Sequence, residues 1–132
     1  MINNVFLPMT EEEYKDFLKP YIELLSYVDI CCESAEKLNN RDLAWSIKRH
    51  QKETAILVLT ELFKKLRDKI SGASELIVAY YDYPGCDGFS VYKNEKRIWL
   101  GLIEISDSES LYTQCQNIFV KFLAVVEEMR DK

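Results

Sequence analysis

An apolar repeat in the first third of the chain constrains the fold more than any other feature. Apolar or weakly polar side chains recur there at alternating intervals of three and four residues: Tyr14, Phe17, Tyr21, Leu24, Val28, Cys31, Ala35 and Leu38. This 3.5-residue period predicts a long helix that packs lengthwise against a partner helix. Thr10 and Glu13 form a capping box at its start, and Pro20 predicts either a kink or a break into two helices.

A second long helix is predicted over residues 41–70, ended by Ser71 and Gly72. Its apolar stripe changes face near 55–59, so we expect contacts from two sides and a central place in the fold. The two helices carry opposite charge. Residues 10–38 hold eight acidic and three basic side chains, whereas residues 39–72 hold four acidic and eight basic ones. This complementarity favours an antiparallel helical hairpin.

The apolar period then changes from helical to strand-like. Strands are predicted over 75–83, 88–93 and 97–106, and 94–96 is the turn of a β-hairpin between the last two. The last strand is almost entirely apolar. We therefore expect it to lie in the middle of the sheet, with both faces covered.

A final helix completes the predicted fold. Asp107 or Ser108 is expected to cap it, and its buried stripe is predicted to consist of Leu111, Cys115, Ile118, Phe122, Val125 or Val126, and Met129. Residues 1–132 are thus predicted to form a single domain of the α+β class. It consists of a long antiparallel helical hairpin, a three-stranded antiparallel sheet and a C-terminal helix, in the order α-α-β-β-β-α.

Residue types that carry common chemistries are scarce. Glycine occurs only at positions 72, 85, 88 and 101, so neither glycine-rich loop that holds nucleotide phosphates is present. The four cysteines form no C-x-x-C pair, and His50 is the only histidine. We therefore expect no metal, no cofactor and no enzymatic activity, with the cysteines reduced as in a cytoplasmic protein. The N-terminus lacks the pattern of a signal peptide, and no apolar run approaches the ~20 residues needed to span a membrane.

Three rival chemistries are weakly indicated. A nucleophilic Cys86 would need His50 as its base, and nothing in their spacing places them together. A nuclease-like acid cluster would use Asp82 or Asp87 with Glu95, but Arg97 stands where such sites need lysine. A basic face on the helix over 41–69 could follow phosphates, but the net charge of −5 makes nucleic acid an unlikely partner.

An aromatic cluster is the most suggestive feature. It comprises Tyr80, Tyr81, Tyr83, Phe89, Tyr92 and Trp99. If Leu76, Val78 and Tyr80 face the core, strand alternation turns Tyr81 and Tyr83 outward. Exposed tyrosines with nearby acids are typical of a protein-binding site for a basic partner. The predicted partner-binding residues are Tyr81, Asp82, Tyr83, Asp87, Tyr92 and Glu95. A second packed layer or a dimer interface over the same rings remains an alternative.

These observations predict a non-enzymatic, acidic inhibitor or sequestering factor that binds a basic partner protein. Immunity proteins, antitoxins and phage anti-defence proteins are of this general kind, although no motif here resembles a particular family. The alternative is a secretion-type chaperone or adaptor that holds a segment of another protein. A homodimer is also expected, because the long second helix would project beyond a three-stranded sheet and leave Leu43, Trp45 and Ile47 uncovered.

Overall fold

The elements follow the predicted order. The computed structural model describes residues 10–37, 41–85, 87–105 and 109–131. Its helices and strands are α1 (Glu11–Lys37), α2 (Arg41–Lys69), β1 (Ile77–Tyr81), β2 (Gly88–Lys93), β3 (Lys96–Gly101) and α3 (Leu111–Met129). The prediction of an α+β fold with the order α-α-β-β-β-α is therefore confirmed.

Helix α1 begins at the predicted capping box and runs without a break. The amide of Glu13 donates to Oγ1 of Thr10 over 3.2 Å, and Oε1 of Glu13 accepts from the Thr10 amide over 3.5 Å. Pro20 lies inside the single helix, so the predicted alternative of two separate helices is wrong. In the first half of the repeat, Phe17 and Tyr21 pack against the core.

The protein has three layers, with α2 in the middle one. Helices α2 and α3 contact the strands of the sheet, and α1 contacts α2 and α3 but no strand. This arrangement confirms the central place expected for α2. The core between the layers is centred on Phe63 of α2. Its ring stacks on Phe122 of α3 at a centroid distance of 4.2 Å and meets the edge of Phe89 of β2 at 5.4 Å.

The sheet is antiparallel with the strand order β1-β2-β3, so β2 is central and β3 is an edge strand. The expectation that the last strand lies mid-sheet is therefore wrong. The apolar run that suggested a central strand forms two different parts of the structure, an edge strand and the buried segment that follows it. The strand ends at Gly101, and Ile103 beyond it is fully buried outside the sheet. Because Arg97 and Trp99 are exposed, β3 itself has one solvated face.

Helix α3 buries every residue of its predicted stripe, including both Val125 and Val126. Its N-cap is Ser110, whose Oγ accepts from the Thr113 amide over 3.1 Å. The predicted caps Asp107 and Ser108 lie outside the described residues. The side-chain amide of Gln114 holds the segment that leads into the helix. It accepts from the Glu104 amide over 2.8 Å and donates to the Glu104 carbonyl over 2.9 Å.

Candidate functional site

Strand alternation divides the aromatic cluster between the two faces of the sheet. Leu76 and Val78 are buried toward the helices, and Tyr80 packs on Phe89 with a centroid distance of 4.8 Å. Tyr83 on the other face has 52% of its surface exposed. The inward and outward directions predicted from the sequence are thus the ones that the structure has.

We call the solvated side the outer sheet face and define it by five apolar side chains: Ile77, Tyr81, Tyr83, Tyr92 and Trp99. Ile77 is 59% exposed, Tyr83 and Trp99 are also exposed, and Tyr81 and Tyr92 are half-buried. In the part of the chain that the structure describes, no helix packs on this face, since α2 and α3 both lie on the opposite one. An exposed aromatic surface of this kind on a small domain is a candidate interaction site.

Three tyrosines of the outer sheet face support one another. The ring of Tyr81 meets Tyr83 edge to face at 5.6 Å and Tyr92 at 6.1 Å. Tyr92 pairs with Ile77 in the register, four residues from Tyr81 along β1. The two rings can meet because the row between them carries only the small side chains of Ala79 and Ser90. These contacts restrict the rotation of the three rings, which lowers the entropy lost on binding.

Polar contacts set the borders of this aromatic surface. Nε of Arg97 donates to Oγ of the fully buried Ser90 over 3.0 Å. Nε1 of Trp99 donates to the Asp87 carbonyl over 2.7 Å, and Nζ of Lys121 lies 5.2 Å from the Trp99 ring centroid. The border near Trp99 is therefore cationic rather than acidic.

The structure brings together only part of the predicted partner-binding set. Tyr81, Tyr83 and Tyr92 form one cluster, and Asp87 comes directly before Gly88, the residue that pairs with Tyr81. Glu95 lies in the β2–β3 turn, at the other end of β2. The length of β2 puts Glu95 roughly 20 Å from Gly88, at the Tyr81 end of the cluster, although Tyr92 is only three residues before it.

Asp82 lies on the opposite side of the sheet from the three clustered tyrosines. It lines an open cleft of about 170 Å³ on the helix side of the sheet, together with Trp45, Arg49, Lys52, Glu53, Ile56 and Ile105. The cleft combines two cations with two carboxylates, so its charges balance. Like Asp82, Asp87 lies close enough to the Tyr80 phenol, on the helix side of the sheet, for its charge to raise the pKa of that group.

The residues predicted for a dimer interface lie at the end of the helical hairpin. Trp45 is 56% exposed, Leu43 is exposed and Ile47 is half-buried. Residues two apart on a helix point about 200° from each other. Leu43 and Ile47 therefore share one side of α2, while Trp45 faces the cleft with Asp82 on another side.

The sites considered for catalysis are not assembled in the described residues. No group of three His, Cys, Asp or Glu side chains is placed there to hold a metal ion. His50 is exposed on α2, and Cys86, its proposed nucleophile, lies outside the described residues. Cys115 is buried beside a small apolar cavity of about 80 Å³ between α1, α2 and α3.

Ile77 and Trp99 belong to the outer sheet face and Arg97 to its border, but none of the three is among the predicted site residues. Period-two alternation alone puts Ile77 with Tyr81, so that signal was present in the sequence. Placing Arg97 and Trp99 beside them requires the strand register, which pairs Tyr92 with Arg97 and Ser90 with Trp99. Register is a tertiary property, and a sequence without a defined strand order does not specify it.

Comparison of the chain with protein-family models, with curated proteins and with solved structures finds no match. Among the described helices, none combines the length and the apolar character that crossing a membrane requires. The outer sheet face is therefore the feature of the molecule from which a function can be inferred.

Tyr80 on the helix side of the sheet gives a prediction for alkaline pH. Burial raises the pKa of its phenol above the ordinary value of 10.0, and the nearby carboxylates of Asp82 and Asp87 act in the same direction. The native state thus keeps this proton at a pH where the unfolded chain loses it. The free energy of unfolding is expected to fall as pH rises above about 10, more steeply in the wild type than in Tyr80→Phe. Urea unfolding at pH 8 to 11 measures both slopes, and equal slopes would contradict this assignment.

Proposed function

We propose that the protein is a non-enzymatic, cytoplasmic binding protein that inhibits or sequesters a basic partner protein on its outer sheet face. Immunity proteins, antitoxins and phage anti-defence proteins act in this general way. The observation that supports the proposal is the exposed, mutually packed cluster of Tyr81, Tyr83 and Tyr92, which no helix of the described chain covers. Tyrosine anchors of this kind contribute much of the affinity at protein interfaces.

Charge is expected to act on the rate of association rather than on the close contacts. The net charge of −5 attracts a basic partner over several ångströms. The border of the outer sheet face contains Arg97 and Lys121, so the short-range contacts are not uniformly acidic. We therefore expect the association rate to fall as salt rises, while the dissociation rate depends mainly on the aromatic anchors. An association rate unchanged between low and physiological ionic strength would contradict the steering part of the proposal.

The decisive variant is Tyr83→Ala, because Tyr83 lies outside β1 and contributes little to the core. Partners are first captured on the wild-type protein and identified by mass spectrometry, and their dissociation constants are then measured by surface plasmon resonance. Removal of an anchoring tyrosine is expected to weaken binding about 30-fold, equivalent to roughly 2 kcal/mol.

Tyr27→Ala is the matched control, since Tyr27 is 64% exposed on α1, in the layer farthest from the sheet. It is expected to bind like the wild type. Weaker binding by Tyr27→Ala, with none by Tyr83→Ala, would move the binding site away from the outer sheet face. A captured partner that is disordered before binding, instead of folded, would favour the chaperone or adaptor alternative.

We also propose that the protein acts as a homodimer. Helix α2 has 29 residues and is therefore about 44 Å long, and exposed apolar side chains lie both on this helix, at Trp45, and on β1, at Ile77. A second copy is an economical cover for apolar surface on so small a domain. Light scattering at several micromolar concentrations is expected to give twice the chain mass of 15.5 kDa. The monomer mass at every concentration would reject the proposal.

A further inference from the structure

We infer that the free edge of β1 is the dimer interface, where β1 of a second copy pairs with it in the antiparallel direction about a two-fold axis at Ala79. The inference rests on the proposed homodimer. It would join two three-stranded sheets into one sheet of six strands. Three features of the molecule support this pairing: the difference between the two sheet edges, the self-complementary register of β1, and the charges at its ends.

The β3 edge of the sheet carries the features that prevent strand addition. Its register with β2 shifts between Phe89 and Ser90, so Leu100 is an extra residue on the β3 side. Lys96 and Arg97 are charged and exposed on this strand, and Lys121 lies over the Trp99 ring. Bulges and charged side chains are the usual means by which proteins block the edge of a sheet.

The β1 edge has none of these features. The strand reads IVAYY, without charge or proline, and all five of its residues pair regularly with β2. In the described chain, no backbone hydrogen bond outside the sheet involves residues 77–81. Arg67 donates to the Leu76 carbonyl over 3.0 Å, immediately before the strand begins. The amides and carbonyls on the outer side of β1 are therefore available to another strand.

The register about Ala79 makes β1 complementary to itself. Ala79, the smallest side chain of the strand, lies on the axis opposite Ala79 of the second copy. Ile77 then faces Tyr81 of the second copy, and Val78 faces Tyr80. Both are pairs of a β-branched and an aromatic residue, which stabilise antiparallel sheets, and no like charges oppose one another within the strand.

Charges at the ends of β1 also match across this axis. The same register puts Asp82 of the second copy opposite Leu76, whose carbonyl is bound by Arg67. Asp82 is exposed in the single chain, and the Arg67 guanidinium, whose Nε donates to Oδ1 of Asp68 over 3.2 Å, presents Nη1 at the sheet edge. Symmetry gives this acid–base contact twice. A second copy therefore adds a carboxylate to the Arg67–Asp68 pair at each end of the strand, a placement that an arbitrary extended segment would not provide.

The pairing would place the two outer sheet faces side by side. Tyr81 and Tyr83 of one copy would lie near Ile77 of the other, so the aromatic surface would double in area. A partner could then be held by both copies.

Substitutions at Ala79 test the interface because the two copies of this residue face each other. Ala79→Lys and Ala79→Glu each oppose like charges at the axis, and each is expected to weaken dimerisation about tenfold or more in sedimentation velocity. An equimolar mixture of the two variants opposes unlike charges and is expected to restore a dimer. Leu57→Lys is the matched control, at a side chain 70% exposed on α2, and is expected to remain dimeric.

Trp45→Glu separates this interface from the end of the helical hairpin. The β1 pairing predicts that Trp45→Glu remains a dimer. Loss of the dimer in Trp45→Glu, with none in either Ala79 variant, would place the interface at the hairpin and overturn the inference. A monomeric wild type would overturn both the homodimer and the β1 pairing, while the sheet-face binding tested with Tyr83→Ala would be unaffected.

Hydrogen exchange on the wild type keeps the test decisive if the Ala79 variants do not fold. Alternate amides of β1 are expected to become more protected as the protein concentration rises through the dimerisation range. Protection that does not change with concentration would overturn the inference. If β1 gains protection only when the captured partner is added, the edge binds a partner segment instead of a second copy.

Discussion

Phe63→Ala is expected to lower the free energy of unfolding by about 3–5 kcal/mol, the usual loss for a large aromatic side chain removed from a core. Phe63 is fully buried where the layers meet, between Phe122 of α3 and Phe89 of β2. Neither ring can move into the cavity that the substitution leaves, because Phe122 and Phe89 are each held by other core residues. Since domains of this size are stable by about 5–15 kcal/mol, the variant should be only marginally folded. Urea unfolding followed by circular dichroism measures the loss.

Leu57→Ala is the control for this prediction, since Leu57 is on the same helix but largely exposed. Its expected change is within about 0.5 kcal/mol, as for most surface substitutions. A loss below about 1 kcal/mol in Phe63→Ala, or similar losses in both variants, would mean that Phe63 does not join the layers as its contacts indicate.

The helices could be predicted well because their signals are local. The capping box at Thr10 and the stripe from Leu111 to Met129 depend on residues three or four apart, which any helix brings together. The strand order could not be predicted in this way. The apolar run after Lys96 is consistent with a central strand, but also with a short edge strand followed by the buried turn around Ile103. Only packing against α3 decides between them.

The candidate site shows the same division. Alternation along β1 was enough to turn Tyr81 and Tyr83 outward. Asp82, Asp87 and Glu95 were predicted on the same surface because they are close to the tyrosines in sequence. The geometry of the sheet separates at least two of them from that surface. Asp82 has the opposite parity from its neighbours and lines the cleft with Trp45, while Glu95 lies beyond the far end of β2. Residues that are neighbours along a strand, such as Tyr81 and Asp82, point to opposite faces of the sheet. Residues of the same hairpin, such as Asp87 and Glu95, can lie at opposite ends of a strand.

Gly88→Ala is expected to destabilise the protein by about 2–4 kcal/mol and to disturb the outer sheet face. Gly88 has φ of +102°, a conformation that alanine rarely adopts. An added Cβ would also overlap the Gly101 carbonyl oxygen and lie 2.8 Å from Nε1 of Trp99. The backbone contact cannot be relieved by a side-chain rotation, so β2 and β3 must separate there. Urea unfolding gives the stability. In a Trp45→Phe background, where Trp99 is the sole tryptophan, its fluorescence reports the hydrogen bond to Asp87.

Gly85→Ala separates the two causes of this effect. Gly85 has φ of +82°, but an added Cβ there would meet nothing within 4 Å. It therefore carries the conformational cost alone, about 1 kcal/mol, and should leave the Trp99 emission unchanged. The difference between the two variants measures the close approach of β3 to Gly88. Equal losses in Gly85→Ala and Gly88→Ala would show that β2 and β3 can move apart at little cost. The border of the aromatic surface at Trp99 would then be adjustable, and a partner could reshape it on binding.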